Sequence, residues 1–420
     1  MNSNLPVSRW YRIIPIAFIT YSLAYLDRAN FGFAAAGGMA EELQITQGMS
    51  SLLSSLFFLG YFFFQIPGAQ YAAHKSAKKL IFWSLILWSG LAAATGMISN
   101  VNALIGIRFL LGVVESAVMP AMVILLSQWF TRAERSRANT FLILGNPVTV
   151  LWMSVVSGYM IDAWGWRWMF ILQGLPGIIW AFVWWKVISE KPQDASWLSL
   201  SEREAVENAL KEEQKSIQPV KNYAEAFKSW RVILLSLQYL FWSLGVYGFV
   251  MWLPSIISSA PEINIVATGW LSAVPYLLAI VGMLTASYFS DKLLNRRIFI
   301  WPFLLVAALA FVGIYLNSSG EFWISFSLLV VAGACLYIPY GPFFAVLTEV
   351  LPRNVAGGAI GLINSMGALG SFVGAYLVGY LNGITGNFEV SYILMAVAAL
   401  IAALITLRVI PPPDSRTVVR

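Results

Sequence analysis

Twelve apolar stretches, each roughly twenty residues long, run through this chain with short polar breaks between them. A helix of that length crosses the hydrocarbon core of a bilayer. The stretches lie at approximately 11–33, 48–70, 79–98, 102–128, 138–160, 167–187, 232–258, 265–290, 298–317, 322–347, 355–381 and 391–410. They are continuously apolar rather than alternating, which argues against membrane strands. The fold class expected is therefore an all-α integral membrane protein. Composition points the same way. Hydrophobic residues make up 59% of the chain and charged residues 11%, with a mean hydropathy of +0.73. A soluble domain carries about 25% charged residues. The net charge of +6 comes from bases that punctuate apolar segments, so it points to a lipid bilayer as partner and to no nucleic acid. The single Cys335 excludes an intrachain disulfide.

Charge alternates from loop to loop. With the N-terminus inside, the inner loops hold Arg9, Arg12, Lys75, Lys78, Lys79, Arg132, Arg135, Arg137, Lys292, Arg296, Arg297, Arg353, Arg416 and Arg420. The outer loops hold Glu41, Glu42, Asp162, Glu262, Glu321 and Glu389, with Arg167 the only clear base. Lysine and arginine bias toward the cytoplasm sets topology, so both termini are expected inside, in a cell's inner (plasma) membrane. The first stretch has bases before it and Ala34-Ala35-Ala36 after it, like a signal peptide. Its apolar run is too long for one, and it contains Asp27-Arg28.

The polar segment near 188–228 separates six spans from six. The division expected is a bundle over 1–187, a cytoplasmic linker over 188–231 and a second bundle over 232–420. Ser201-Glu202-Arg203-Glu204 opens a short surface helix in the linker. The halves echo one another: GAQYAAHKSAKK after span two has its counterpart in ASYFSDKLLNRR after span eight. WFTRAERSRANTFLILGN leading into span five is likewise matched by VLPRNVAGGAIGLIN leading into span eleven. Repeated halves are the trace of transporters whose site lies near the midplane between them.

Four ionisable residues break the apolar pattern of the first half. Asp27 and Arg28 lie in span one, Arg108 and Glu115 in span four. A charge in the bilayer costs on the order of 2.5–3.5 kcal/mol even on lenient scales, so such residues mark a substrate, ion or proton path. Helical rise sets Asp27 and Arg108 at similar depth, which predicts an Asp27–Arg108 pair. Glu115 lies two turns further along the face of Arg108, near the midplane. The guanidinium groups are fixed positive charges that can grip a carboxylate with two parallel bonds, whereas Asp27 and Glu115 can titrate. The plainer alternative is an ion-pair network that only holds spans one and four together.

These residues sit in motifs that resemble the major facilitator superfamily and, within it, the anion:cation symporter family. The motifs are Tyr25-Leu26-Asp27-Arg28-Ala29-Asn30, Gln65-Ile66-Pro67-Gly68, Arg108-Phe109-Leu110-Leu111-Gly112-Val113-Val114-Glu115-Ser116, and Gln128-Trp129-Phe130 followed by Glu134-Arg135. The resemblance covers nearly the whole chain. It implies two pseudo-symmetric six-helix bundles, alternating access, and cotransport of organic anions, in bacterial members sugar acids such as hexonates and hexuronates with protons. It places a substrate carboxylate on Arg28 with Tyr25 nearby, and protons on Asp27 and Glu115, with Arg108 as partner. One departure is clear. The superfamily's loop after span two resembles G-x-x-x-D-R-x-G-R-R, yet Ala72 stands here where the acid belongs and Lys75 where the second glycine belongs.

The second-half spans are nearly free of charge, so their contribution to a site is neutral. Asn146 and Asn364 occupy related places in spans five and eleven, and an amide suits a polyol's hydroxyls. Tyr61, Tyr247 and Trp252 are further candidates for the same cavity, though each also suits packing or lipid contact. His74, the only histidine, falls in an inner loop. Pro120, Pro147, Pro254, Pro275, Pro339 and Pro342 fall within spans. No metal-ligand cluster, nucleotide loop or catalytic triad is visible, which points away from an enzyme and from a cofactor. The function expected is proton-coupled uptake of a small carboxylate-bearing anion by a monomer. The alternatives are a drug:proton or metabolite:proton antiporter of the same fold, or a non-transporting membrane sensor. The antiporter glycine pattern of span five is absent after Gly145-Asn146-Pro147-Val148-Thr149.

Overall fold

The computed structural model describes residues 5–215, 229–260, 263–293, 295–317, 320–350 and 356–410. The described residues are helical throughout, without strands. Ten helices are long and apolar enough to cross a membrane. One of these, Arg137–Val187, is two spans joined at Gly165, whose φ of 81° and ψ of 166° break the helix. Ser8–Ala34 joins them as span one, its hydropathy lowered by its own charges. The twelve-span topology follows.

Local chemistry sets the ends. Thr46, Ser76 and Asn100 cap the N-termini of spans two, three and four by accepting from backbone N–H groups one turn on. Span one, Ser8–Ala34, runs into a π-turn at Ala35–Met39, where Gly38 adopts φ 99°. Span two is Gln47–His74, so His74 ends a helix, its Nδ1 2.9 Å from the Gln70 carbonyl. Among the described residues three spans are broken rather than continuous, span five at Leu144, between Arg132–Ile143 and the helix that opens at Gly145. Span four divides into Val101–Glu115 and Val118–Ser127, and span ten into Phe322–Tyr337 and Tyr340–Val350. Pro120 and Pro339 lie at these breaks, each unable to donate to the carbonyl four residues back. Span nine is shorter than expected, a helix over Trp301–Leu316. In the linker, Leu200–Lys215 is helical, with Ser199 and Glu202 exchanging bonds at its start. The surface helix thus begins one residue before Ser201. Arg353, Arg416, Arg420 and Glu262 lie outside the described residues.

Span two packs on span four within the first half, and spans seven, eleven and twelve pack together in the second. The halves meet where span two packs on eleven, five on eight and one on seven. The first two pairings are equivalent under exchange of halves, as a repeated fold requires.

Candidate functional site

Spans one and four bring the first-half charges together, but not in the expected pairing. Arg28 donates from Nε to Glu115 Oε2 at 3.2 Å, and both side chains are buried. Arg108 is spent on backbone. Its Nε donates to the Leu53 carbonyl at 3.1 Å and its Nη1 to the Asp27 carbonyl at 3.4 Å. Among the described residues, the Asp27 carboxylate forms no ion pair, so the Asp27–Arg108 side-chain pair is corrected to Arg28–Glu115. The reason is helical direction. Neighbouring residues on a helix point about 100° apart, so Arg28 reaches Glu115 of span four while the Asp27 carboxylate accepts from Asn30 of its own span. Equal depth placed Arg108 near Asp27, but beside its backbone.

Arg28 is held over aromatic faces, with its guanidinium carbon 4.9 Å from the Tyr61 ring centre, 5.3 Å from Phe57 and 5.5 Å from Tyr25. Aromatic faces attract a buried cation without using its N–H groups. Nη2 of Arg28 and Oε1 of Glu115 are buried with no protein partner.

Arg28 lines a central cavity between the halves. Tyr61, Asn146, Tyr247 and Asn364 line it with Arg28. Asn146 Oδ1 is another buried atom without a partner. Two candidates lie elsewhere. Tyr25 is buried outside the lining, its hydroxyl 3.2 Å from that of Tyr337 across the halves. Trp252 belongs to a different, larger pocket near Glu41 and Glu389, on the face opposite the termini; its Nε1 donates to the Ala375 carbonyl at 2.8 Å. It sits five residues, more than a turn, beyond Tyr247 and on another side of the helix.

Tyr21, Gln65, Tyr239, Ser243 and Tyr340 line the central cavity too; the sequence named none of them as a site candidate, Gln65 entering only within its span-two motif. Helical spacing was the available signal. Tyr239 and Ser243 precede Tyr247 by eight and four residues, Gln65 follows Tyr61 by four, and Tyr21 precedes Arg28 by seven, all on shared faces. The result, among the described residues, is one fixed cation, amides from both halves, and a ring of hydroxyls. Such a lining can grip a carboxylate at one end and hydroxyls along its length.

On the opposite face the halves are sealed by close backbone contact. A side chain at Gly158 would strike the Ile265 carbonyl, and one at Gly269 the Ser154 carbonyl, joining spans five and eight. Gly32 abuts the Met251 carbonyl, joining spans one and seven. The cavity lies on the termini side of this seal.

At the termini face, Glu190 takes on the capping that the altered loop after span two leaves open. Its carboxylate accepts from Ser76 Oγ at 2.5 Å, Ala77 N at 2.9 Å and Lys78 N at 3.1 Å, at the start of span three. Buried Arg9 donates to Glu134 at 2.9 Å and to the Trp129 carbonyl at 2.6 Å. On the opposite face, Glu42 accepts from Trp166 Nε1 at 2.7 Å and from Arg167 Nε at 2.9 Å. These bonds hold the Glu42 carboxyl below its ordinary range.

Comparison with known proteins places this architecture. The family description Major Facilitator Superfamily matches residues 17–375 and 259–419. The chain belongs to the major facilitator superfamily, a family of membrane transporters. A quinolone resistance transporter of Acinetobacter baumannii is 29% identical over 94% of this chain and 92% of its own length. A putative tartrate transporter of Agrobacterium vitis is 29% identical over 94% and 89%. A D-galactonate transporter of Escherichia coli O6:H1 is 25% identical over 96% of each chain. The inward-open xylose transporter XylE of E. coli aligns with a TM-score of 0.77 over 97% of this chain and 98% of that one, at 13% identity. That likeness shows the shared fold of the transporter.

Proposed function

We propose that this transporter carries a small hydroxylated carboxylate, of the sugar-acid type, inward with protons. One observation carries the reading. Arg28, the one cation in the cavity lining among the described residues, has an Nη2 without a partner there, and hydroxyl and amide groups from both halves line the same cavity. The names of the tartrate and D-galactonate transporters support the same substrate class. Glu115 supplies the coupling. When a substrate carboxylate takes Arg28, Glu115 loses its counter-charge and is neutralised by a proton, because an unpaired buried carboxylate is costly. Loop charge supports termini inside the cytoplasm, and thus a multi-pass protein of the inner membrane with its cavity on the cytoplasmic side.

Purified transporter in liposomes tests this. An imposed inward proton gradient should drive accumulation of labelled tartrate or an aldonate from a panel, and a proton ionophore should abolish it. Failure across the panel would remove the proposal.

A second reading has its own support. The cavity lining is rich in tyrosine, with Phe58 and Phe344, and the relative from A. baumannii is named for quinolone resistance. A flat aromatic acid exported against protons would fit those walls. The same liposomes distinguish the two: quinolone extrusion under an opposed gradient, without sugar-acid uptake, would favour export.

A further inference from the structure

Asp27 lies outside the cavity lining and is 3% exposed. Its carboxylate Oδ1 accepts from Asn30 Nδ2 at 3.3 Å. The same Nδ2 donates to Gln173 Oε1 at 3.4 Å, and Gln173 Nε2 donates to Ser157 Oγ at 2.8 Å. Ser157 then donates to Met153 Sδ at 3.2 Å. These groups come from spans one, five and six, and Asn30 and Ser157 are wholly buried. The chain of bonds therefore runs within the first half, and none of its residues lines the central cavity.

Asn30 has a second feature. Its Oδ1 is buried and has no partner among the described residues. With a carboxylate beside it, Asn30 uses its two N–H groups, one toward Asp27 and one toward Gln173. A protonated Asp27 carries an O–H that needs an acceptor, and the idle Oδ1 of the same amide supplies one after rotation. The two long bonds leave room for that rotation. The charged groups around Asp27 are Glu115 and Arg108 of span four and Arg28 beside it. Spans five and six bring only amide, hydroxyl and thioether groups to the chain of bonds.

We propose that Asn30, backed by Gln173 and Ser157, is a positioning residue that accommodates both protonation states of Asp27 inside the first half, apart from the substrate cavity. The inference rests on the proton-coupled reading above. A proton added to Asp27 makes the carboxylate a neutral acid and turns the Asn30 amide; release reverses both. Substrate meets Arg28, which pairs with Glu115, whereas Asp27 bonds to Asn30 within the first half.

The test compares Asn30→Val, which removes donor and acceptor at similar bulk, with Asn30→Ser, whose hydroxyl supplies both. Gradient-driven accumulation and substrate counterflow are measured on each across pH, with the unsubstituted protein alongside. Asn30→Val should lose about tenfold or more of accumulation, the scale of one buried hydrogen bond, with counterflow retained. Asn30→Ser should recover most of the loss, and Gln173→Leu should displace the pH of half-maximal accumulation without changing counterflow. Wild-type accumulation and pH profile in Asn30→Val would overturn the inference while leaving proton coupling standing. Equal loss of counterflow and accumulation in both Asn30 variants would also overturn it, assigning Asn30 to packing. Absence of gradient-driven uptake in the unsubstituted protein would overturn this inference and the proton-coupled reading together.

Discussion

Arg28 combines a buried ion pair with a place in the cavity lining and an Nη2 that has no partner among the described residues. Removing it outright leaves Glu115 buried and unpaired, a loss of about 3–5 kcal/mol that confuses folding with binding. Arg28→Lys is the cleaner variant, because it keeps the charge and loses the planar fork. It should weaken sugar-acid binding by roughly tenfold to a hundredfold, the worth of one charge-assisted bond, read by calorimetry on protein whose melting temperature is little changed. Near-normal affinity would assign Arg28 a purely electrostatic role. Glu115→Gln keeps size and removes titration. It should retain counterflow and lose accumulation; intact gradient-driven uptake would move coupling to Asp27.

At the scale of elements, two carboxylates fasten loops to helix ends. Glu42 ties the loop after span one to Trp166 and Arg167, and Arg167 continues to the carbonyls of Gly96 and Ile98 at 3.2 Å. The hydrogen bonds from Trp166 and Arg167 lower the Glu42 carboxyl from its ordinary range. A carboxyl held lower in the folded state than in the unfolded one adds stability above the unfolded value, near about pH 4.3. That stability is lost as pH falls through the folded value. Glu42→Gln should therefore melt earlier than the parent at neutral pH, and the two melting curves should converge in acid. A gap that stays constant with pH would show that the clamp works through shape alone. Glu190 caps span three in trans, with three donors on one carboxylate. Glu190→Ala should cost about 1–2 kcal/mol, the range of a lost helix cap, seen as a lower melting temperature with substrate affinity unchanged.

For the whole molecule, alternating access requires the seal on the face opposite the termini to open and reform. One of its close crossings is glycine on backbone, where Gly158 and Gly269 bring spans five and eight together. Gly158→Leu places a branched chain against the Ile265 carbonyl, so spans five and eight can no longer meet. The variant should bind substrate but not complete a transport cycle. With Cys335→Ser as background, a Ser371→Cys reporter in the cavity should then react faster with a membrane-impermeant thiol reagent added from that face. Unchanged labelling and transport would show that the seal lies elsewhere.

The sequence alone determined what bilayer physics dictates. Backbone polar groups in hydrocarbon must bond within a helix, so runs of apolar residues declared twelve spans, and the cost of buried charge singled out Asp27, Arg28, Arg108 and Glu115. Related places in the two halves and amide chemistry pointed to Asn146 and Asn364, and Tyr61 and Tyr247 were aromatic candidates; all four line the cavity. Helical rise gives depth but not direction across a bundle. Whether Arg28 or Arg108 meets a carboxylate depends on how spans one, two and four are rotated against one another, and the Leu53 carbonyl that engages Arg108 leaves no signature in side-chain sequence. Trp252 was misplaced for the same reason, since its side of span seven is set by contact with span eleven. The bond from Asn30 to Gln173, and the capping of span three by Glu190, join residues more than a hundred positions apart. Such partners are chosen by packing, which only the tertiary structure decides.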